Sequence, residues 1–408
     1  MSTSEAAHYR SMLEGALRSP APFPDGRFAG RGIVICGCGD VYFPCAWVCI
    51  GVLRRLGCTL PIELWYRGRR EMTEEMIALV EPLGVTCVDA YGVVRRHPFR
   101  RLDSWELKPF AITWSRFSEV LYLDADNVPL RDPAFLFDLP EYRAAGALFW
   151  PDRYAGPGTA IEWLEREAWE ACGVPYRLEP EIEAGQLLID KRRSWRALQL
   201  TLHLNEHSDY YYAFFLGDKD TFHLAWRRTG TEYALVPRPP RTLGKWEVIL
   251  QHDFAGAPLF QHRNGSKWSL TRANPAIPGF RDERACLELL CALGARWAPP
   301  VRAFPAEFTK SERRQYDALC ATRLFDYAFE GLGTRRIELC PDFRIGEGAA
   351  KMEVGWMIED DADGAPLLSI RNANAPTCFL RPEAGGAWGG RWLVYHRGRV
   401  TLRPAEGA

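Results

Sequence analysis

Asp124 and Asp126 stand one residue apart, directly after the apolar run Val120-Leu-Tyr-Leu123. A short β-branched and apolar run closed by a polar turn reads as a buried strand, and its carboxyl end is the edge at which open α/β sheets bind ligands. Two carboxylates so spaced can share a hard divalent cation where the chain turns, and such an ion keeps positions open for phosphate oxygens. An acidic turn after a strand has the same composition, so the pair takes its meaning from its surroundings. Further residues of chemical interest are the turn Gly37-Cys38-Gly39, Asp89, Lys108, the stretch Glu181-Ile-Glu183-Ala-Gly-Gln186, the cluster Asp218-Lys219-Asp220, and Gln261-His262-Arg-Asn-Gly-Ser-Lys267-Trp268.

The elements that must position these residues alternate between β and α. Gly32-Ile-Val-Ile-Cys36 predicts a strand that runs into the glycine turn, and an apolar helix follows from about Tyr42 to Leu56, with Gly57 as its cap. Pro61–Tyr66 and Val85–Asp89 predict strands on either side of a helix over Met72–Val80. This alternation predicts a mostly parallel sheet. A helix over Trp105–Phe117 places Leu107, Phe110, Ala111, Trp114 and Phe117 on one stripe, with Lys108 off it in the first turn beside Pro109. Trp163 and Trp169 fall on a further helix, Ser194–Leu204 on another, and the acids at Gly217-Asp-Lys-Asp220 on the first turn of the next, where acids also serve the dipole and the cap. Gly37-x-Gly39 resembles the start of a dinucleotide fingerprint, but Tyr42 stands where its third glycine belongs, which argues against a dehydrogenase.

Composition narrows the class. The chain has 408 residues, 47% apolar and 25% charged, enough for one large domain and a small one. A net charge of −1 argues against a protein that coats nucleic acid. The twelve cysteines include Cys36, Cys45, Cys49 and Cys87 inside apolar stretches, and Cys36-x-Cys38 and Cys45-x3-Cys49 have no matching pair at zinc spacing. Reduced thiols acting as small hydrophobes, and hence a cytoplasmic enzyme, are the expectation. The first ten residues show no signal-peptide core, and no uncharged apolar run is long enough to span a bilayer. Peripheral attachment to a membrane and homo-oligomerisation both stay open. Residues 1–28 read as a leader with a Pro-rich connector, 29–300 as the main α/β domain, and 301–334 as a helical connector with a helix over Glu312–Phe329. Residues 335–408 alternate in short runs and predict a small antiparallel sandwich or barrel, whose Trp356, Trp388, Trp392 and Tyr395 serve either sugar stacking or packing.

The runs Lys108-Pro-Phe-Ala, Glu119–Asp132, Leu130-Arg-Asp-Pro-Ala-Phe-Leu-Phe-Asp138 and Gly146-Ala-Leu-Phe-Trp-Pro-Asp152 resemble the fungal α-mannosyltransferase family that extends mannan side chains, over roughly Arg31 to Lys267. The resemblance implies an α/β GT-A fold and a retaining, metal-dependent transfer from a nucleotide-sugar donor to a glycan or other hydroxyl acceptor. GDP-mannose is the implied donor, with a UDP-sugar as the substitute. By the same resemblance Asp124, Asp126 and His262, rather than His252, hold Mn²⁺ or Mg²⁺. Gly37, Cys38, Gly39, Asp89, Lys108, Asp124, Ala125 and Lys267 face the donor, although Asp89 also suits a strand end. Glu183, Gln186, Asp218, Lys219 and Asp220 contact the transferred sugar or the acceptor, and Glu183 is a candidate to stabilise an oxocarbenium-like centre. Lys267 comes one residue earlier than the pattern His-x-x-Gly-x-x-Lys, so Arg263 competes for its role. The family's Golgi membrane anchor has no counterpart here, nor does the family pattern include the C-terminal β-rich segment.

Two other readings compete with this one. A sugar-phosphate nucleotidyltransferase shares the sheet and the metal but wants a basic glycine loop, and Gly37-Cys-Gly-Asp-Val41 has no basic residue. A non-catalytic sugar-binding protein of the same fold would have lost a carboxylate or the histidine, and this chain keeps all three.

Overall fold

A computed structural model of the chain describes residues 3–69, 71–102, 104–153, 164–215, 217–245, 247–271, 273–298, 308–330, 333–350, 353–360, 364–371, 376–392 and 398–405. Trp163 and Tyr395 lie outside these residues, as does 301–307 of the expected connector. Residues 1–211 and 217–299 form one compact unit, and 212–216 with 300–408 form a second.

The first unit is built on strands β1 (Arg31–Cys36), β2 (Ile62–Tyr66), β3 (Val85–Asp89), β4 (Glu119–Asp124), β5 (Asn127–Pro129), β6 (Ala147–Pro151), β7 (Ile182–Asp190), β8 (Ala234–Leu235), β9 (Arg241–Leu243), β10 (Val248–His252) and β11 (Pro258–His262). One seven-stranded sheet runs β3-β2-β1-β4-β7-β6-β8. The first four strands are mutually parallel, while β7 runs antiparallel to both β4 and β6. This is the mostly parallel α/β sheet that the sequence predicts, with Asp124 at the carboxyl end of its central strand. Its apolar strands are sealed by the helix Gly39–Arg55, whose Phe43 to Leu53 are all buried. Removing that apolar surface from water is what drives the layers together, at roughly 25 cal/mol per Å². A second, four-stranded sheet runs β5-β11-β10-β9. Its pairing of Asn127 with His262 sets a distant histidine beside the Asp-x-Asp turn.

The helix expected over Trp105–Phe117 spans Leu107–Trp114, and Lys108 is buried in it rather than on its surface. The helix Thr3–Arg18, read as part of a leader, packs on the helix Lys191–Glu206 and stacks Tyr9 on Tyr210 at 4.0 Å between ring centroids.

The second unit carries β12 (Leu324–Phe329), β13 (Gly333–Glu338), β14 (Gly355–Asp360), β15 (Pro366–Arg371), β16 (Pro376–Pro382), β17 (Trp388–Trp392) and β18 (Arg399–Pro404). They form a single antiparallel sheet ordered β13-β12-β18-β17-β16-β15-β14, neither a sandwich nor, among the described residues, a closed barrel. The helix Lys310–Thr322 packs on it through Tyr316 and Leu319. The expected helix to Phe329 stops seven residues short because Arg323 turns left-handed at φ 59°, and Leu324–Phe329 becomes a strand. Trp356 and Trp388 are buried in this unit's core, which favours packing over sugar stacking for both.

Candidate active site

The turn after β1 and the turn after β4 lie against each other. A Cβ at position 37 would stand 2.3 Å from the Ala125 Cβ, so only glycine fits there. Gly39 begins the next helix at φ +73° and donates its amide to the Glu71 carbonyl at 2.7 Å. The half-buried Cys38 points its thiol at the Trp65 carbonyl, 3.8 Å away, and loss of solvent around the sulfur pushes its pKa well up.

Around the Asp-x-Asp turn, ligand atoms of Asp124, Asp126 and His262 all lie within 4.8 Å of one another. The His262 Nε2 is 3.1 Å from Asp126 Oδ1 and 3.7 Å from Asp124 Oδ2. The other Asp126 oxygen accepts from Lys267 Nζ at 2.5 Å, and Asp124 accepts from the Tyr122 hydroxyl at 2.8 Å. Lys108 Nζ bridges Asp124 Oδ1 at 3.2 Å and Asp218 Oδ2 at 3.1 Å, and donates to the Ala184 carbonyl at 3.0 Å. Behind His262, its Nδ1 meets Glu183 Oε1 at 3.0 Å, Gln186 Nε2 donates to Glu183 Oε2 at 2.6 Å, and Asn127 Nδ2 donates to Gln186 Oε1 at 2.9 Å.

Opposite charges outweigh burial through most of this cluster. Burial alone lowers an imidazole, but Asp126 and Glu183 raise His262 to about 10. Burial alone raises a carboxyl, but Lys267 and His262 hold Asp126 well below the usual range. Lys108 is likewise raised, against burial, by Asp124 and Asp218. Asp218 goes the other way, to about 6, because burial leads, Lys108 only partly offsets it, and Asp124 is a like charge that shares the same lysine.

The predicted residues thus fall into two groups and some outliers. Asp124, Asp126, His262, Lys108, Lys267, Asp218, Glu183 and Gln186 come together. Lys219 and Asp220 belong to a separate cluster, where Lys219 Nζ reaches Glu181 at 2.7 Å, Asp152 at 3.0 Å and Asp220 at 3.1 Å. Burial raises Asp220 to about 7, opposed by Lys219 and reinforced by Glu181 and Asp152. Asp89 lies along the same sheet edge, but its Oδ1 accepts the amides of Gly68 and Tyr91, each at 3.0 Å, as a helix cap does.

Lys267, and not Arg263, reaches Asp126. Arg263 turns away to lie 3.7 Å over the Trp268 ring and donate to the Ser266 carbonyl. His252 stays outside the cluster, in contact through its carbonyl with Trp150 Nε1 at 2.8 Å. Tyr122, Asn127, Asp152 and Glu181 are contributors that the sequence reading did not rank as site residues. Asn127 was signalled as the next residue after the Asp pair, Glu181 as the start of the stretch that holds Glu183, and Asp152 as the end of the run from Gly146, whereas Tyr122 was hidden in the apolar strand. Two carboxylates and an imidazole are hard oxygen and borderline nitrogen donors, a set that fits Mn²⁺ or Mg²⁺.

Residues 30–160 and 175–263, more than half of the chain, match a family model described as "Mannosyltransferase putative". Among curated proteins, the Alpha-1,2-mannosyltransferase MNN22 of Candida albicans is 27% identical over 307 residues, covering 62% of this chain and 50% of the relative. The Alpha-1,2-mannosyltransferase MNN5 of Saccharomyces cerevisiae (strain YJM789) is 25% identical over 311 residues, covering 62% and 52%. The chain spans about half the length of the curated relatives it matches. Solved structures with a loose likeness include the galactosyltransferase LgtC in complex with donor and acceptor sugar analogs, at 14% identity and TM-score 0.39 over 69% of this chain and 99% of that one. Another is mouse xyloside xylosyltransferase 1, at 16% identity and TM-score 0.35 over 50% and 85%. With the family's pattern matched over more than half of its length, this chain belongs to that mannosyltransferase family.

Proposed function

We propose that the protein is a retaining, metal-dependent mannosyltransferase that moves mannose from GDP-mannose to a hydroxyl of a glycan acceptor. The observation that carries the reading is the convergence of Asp124, Asp126 and His262 at the carboxyl edge of the sheet, within a chain of this family. Asp124, Asp126 and His262 would hold Mn²⁺ or Mg²⁺, whose chemistry is neutralisation of the donor diphosphate and Lewis-acid assistance to its departure. Lys267 and Lys108, both kept charged by neighbouring carboxylates, add fixed positive charge where the leaving phosphate gains negative charge. The glycine turn at Gly37 lets backbone approach the donor closely. Asp218 faces this group through Lys108, while Lys219 with Asp152, Glu181 and Asp220 offers a second polar cluster suited to hydroxyls of the sugar or acceptor.

The test is thermal stabilisation by GDP- and UDP-sugars, with and without Mn²⁺, on the wild type and on Asp126→Ala. A ligand at about 100 times its dissociation constant adds roughly 2.7 kcal/mol to the folded state. GDP-mannose is expected to stabilise the wild type only with metal and to leave Asp126→Ala unmoved. Stabilisation by UDP-sugars alone would reassign the donor. Binding that ignores both metal and Asp126 would sink the reading.

A further inference from the structure

We propose that Glu183 is a positioning residue for the cation site and does not touch the transferred sugar; this rests on the metal reading above. A carboxylate that stabilises a cationic sugar centre needs an oxygen free to face it. Glu183 is only 5% exposed, and both its oxygens are engaged inside the protein. Oε1 accepts from the Gly185 amide at 2.8 Å and lies 3.0 Å from His262 Nδ1, while Oε2 accepts from Gln186 Nε2 at 2.6 Å.

The contact at Nδ1 decides what the opposite ring nitrogen can do. With the hydrogen on Nδ1 held by a carboxylate, Nε2 is the ring nitrogen turned toward Asp126 Oδ1 and Asp124 Oδ2, and it is Nε2 that would offer its lone pair to a cation bound there once that cation displaced its proton. The support then continues into a closed circuit. Glu183 holds Gln186, Gln186 accepts from Asn127, and Asn127 follows Asp126 in the chain, which returns to His262. Asn127 also donates to the Gly185 carbonyl at 3.0 Å, tying β7 to the metal turn a second time.

Gly185 shows that this stack is built closely. A Cβ there would stand 2.4 Å from His262 Nδ1 and 2.8 Å from Glu183 Oε1, so the ring and the carboxylate lie against bare backbone. The circuit therefore fixes the position of the histidine and keeps a carboxylate against its Nδ1, leaving Nε2 as the nitrogen for the cation, and Gln186 shares in the task.

The experiment titrates Mn²⁺ alone into the full chain and reads the free ion by electron paramagnetic resonance. Glu183→Gln and Glu183→Ala are expected to raise the Mn²⁺ dissociation constant about 10- to 100-fold, the usual cost of losing such a partner. In a His262→Gln background, Glu183→Gln is expected to add less than about twofold, because its effect passes through the imidazole. If Glu183→Ala fails to fold, the isosteric Glu183→Gln carries the comparison. Mn²⁺ affinities of the Glu183 variants within about twofold of wild type would overturn the proposal while leaving the metal reading intact. An undiminished effect in the His262→Gln background would also overturn it. A wild type that takes up no Mn²⁺ would overturn both.

Discussion

Gly185 leaves no room for a methyl group between β7 and the His262 ring. Gly185→Ala should therefore cost about 1–3 kcal/mol in stability, the usual range for overpacking, and should weaken Mn²⁺ binding because the atom that must yield belongs to a proposed ligand, His262. Urea unfolding and a metal titration check this together, and an unchanged midpoint with unchanged affinity would refute it. At this scale the convergence of Asp124, Asp126 and His262 was legible, since the two aspartates are set by a strand end and His262 by its glycine and basic neighbours. The surroundings of Glu183 were not. Which way a buried side chain points, and whether both its oxygens are taken, depends on partners from β11 and from residue 127 that local sequence does not announce. The choice between Lys267 and Arg263 was hidden for a related reason. It turns on Arg263 finding Trp268 and Phe280 to lie against, at 3.7 and 4.9 Å, which frees Asp126 for the lysine.

Elements were easiest to read where apolar periodicity and glycine caps agreed, as in β1, the helix Gly39–Arg55 and β4. The helix Lys310–Thr322 was overextended because nothing in its sequence marks a stop: the residue that turns left-handed is Arg323, not glycine. A non-glycine residue in such a conformation costs on the order of 1–3 kcal/mol. Arg323→Gly should accordingly be more stable than Arg323→Ala by about 1 kcal/mol, since both lose the exposed pair with Glu338 but only glycine relieves the backbone. Chemical denaturation of the two variants decides it, and equal stabilities would mean the turn is unstrained.

The helix Lys191–Glu206 carries a pH response of its own. His203 is lowered to about 4 by burial first and then by its neighbour His207. A histidine depressed in the folded state contributes stability that is fully present above its ordinary value near 6.5 and lost as pH falls through the folded value. The melting temperature should thus drop between about pH 6.5 and 4, and less steeply in His203→Gln. Parallel slopes for the two proteins would place the acid sensitivity elsewhere.

The whole molecule is two units with separate apolar cores, one sealed by the helix Gly39–Arg55 and one around Tyr316, Tyr327 and Trp356. Every residue assigned to the cation site lies in the first unit. Calorimetry should resolve two unfolding transitions, with GDP-mannose plus Mn²⁺ raising only one. A single transition that moves as a whole would show that the units are thermodynamically one. The β-rich character of the second unit was legible from its short alternating runs, whereas its openness was not, because closure depends on which end strands meet and alternation is the same either way. In the first unit, the contact between Gly37 and Ala125 has a consequence for anyone wishing to change the donor proposed for this protein. The loop proposed to approach the nucleoside and the middle residue of the Asp-x-Asp pair share one methyl's worth of space. On the proposed reading, a library that varies residues 37 to 39 to admit a different base will therefore also be selecting on how the cation is seated, and the two traits will not segregate.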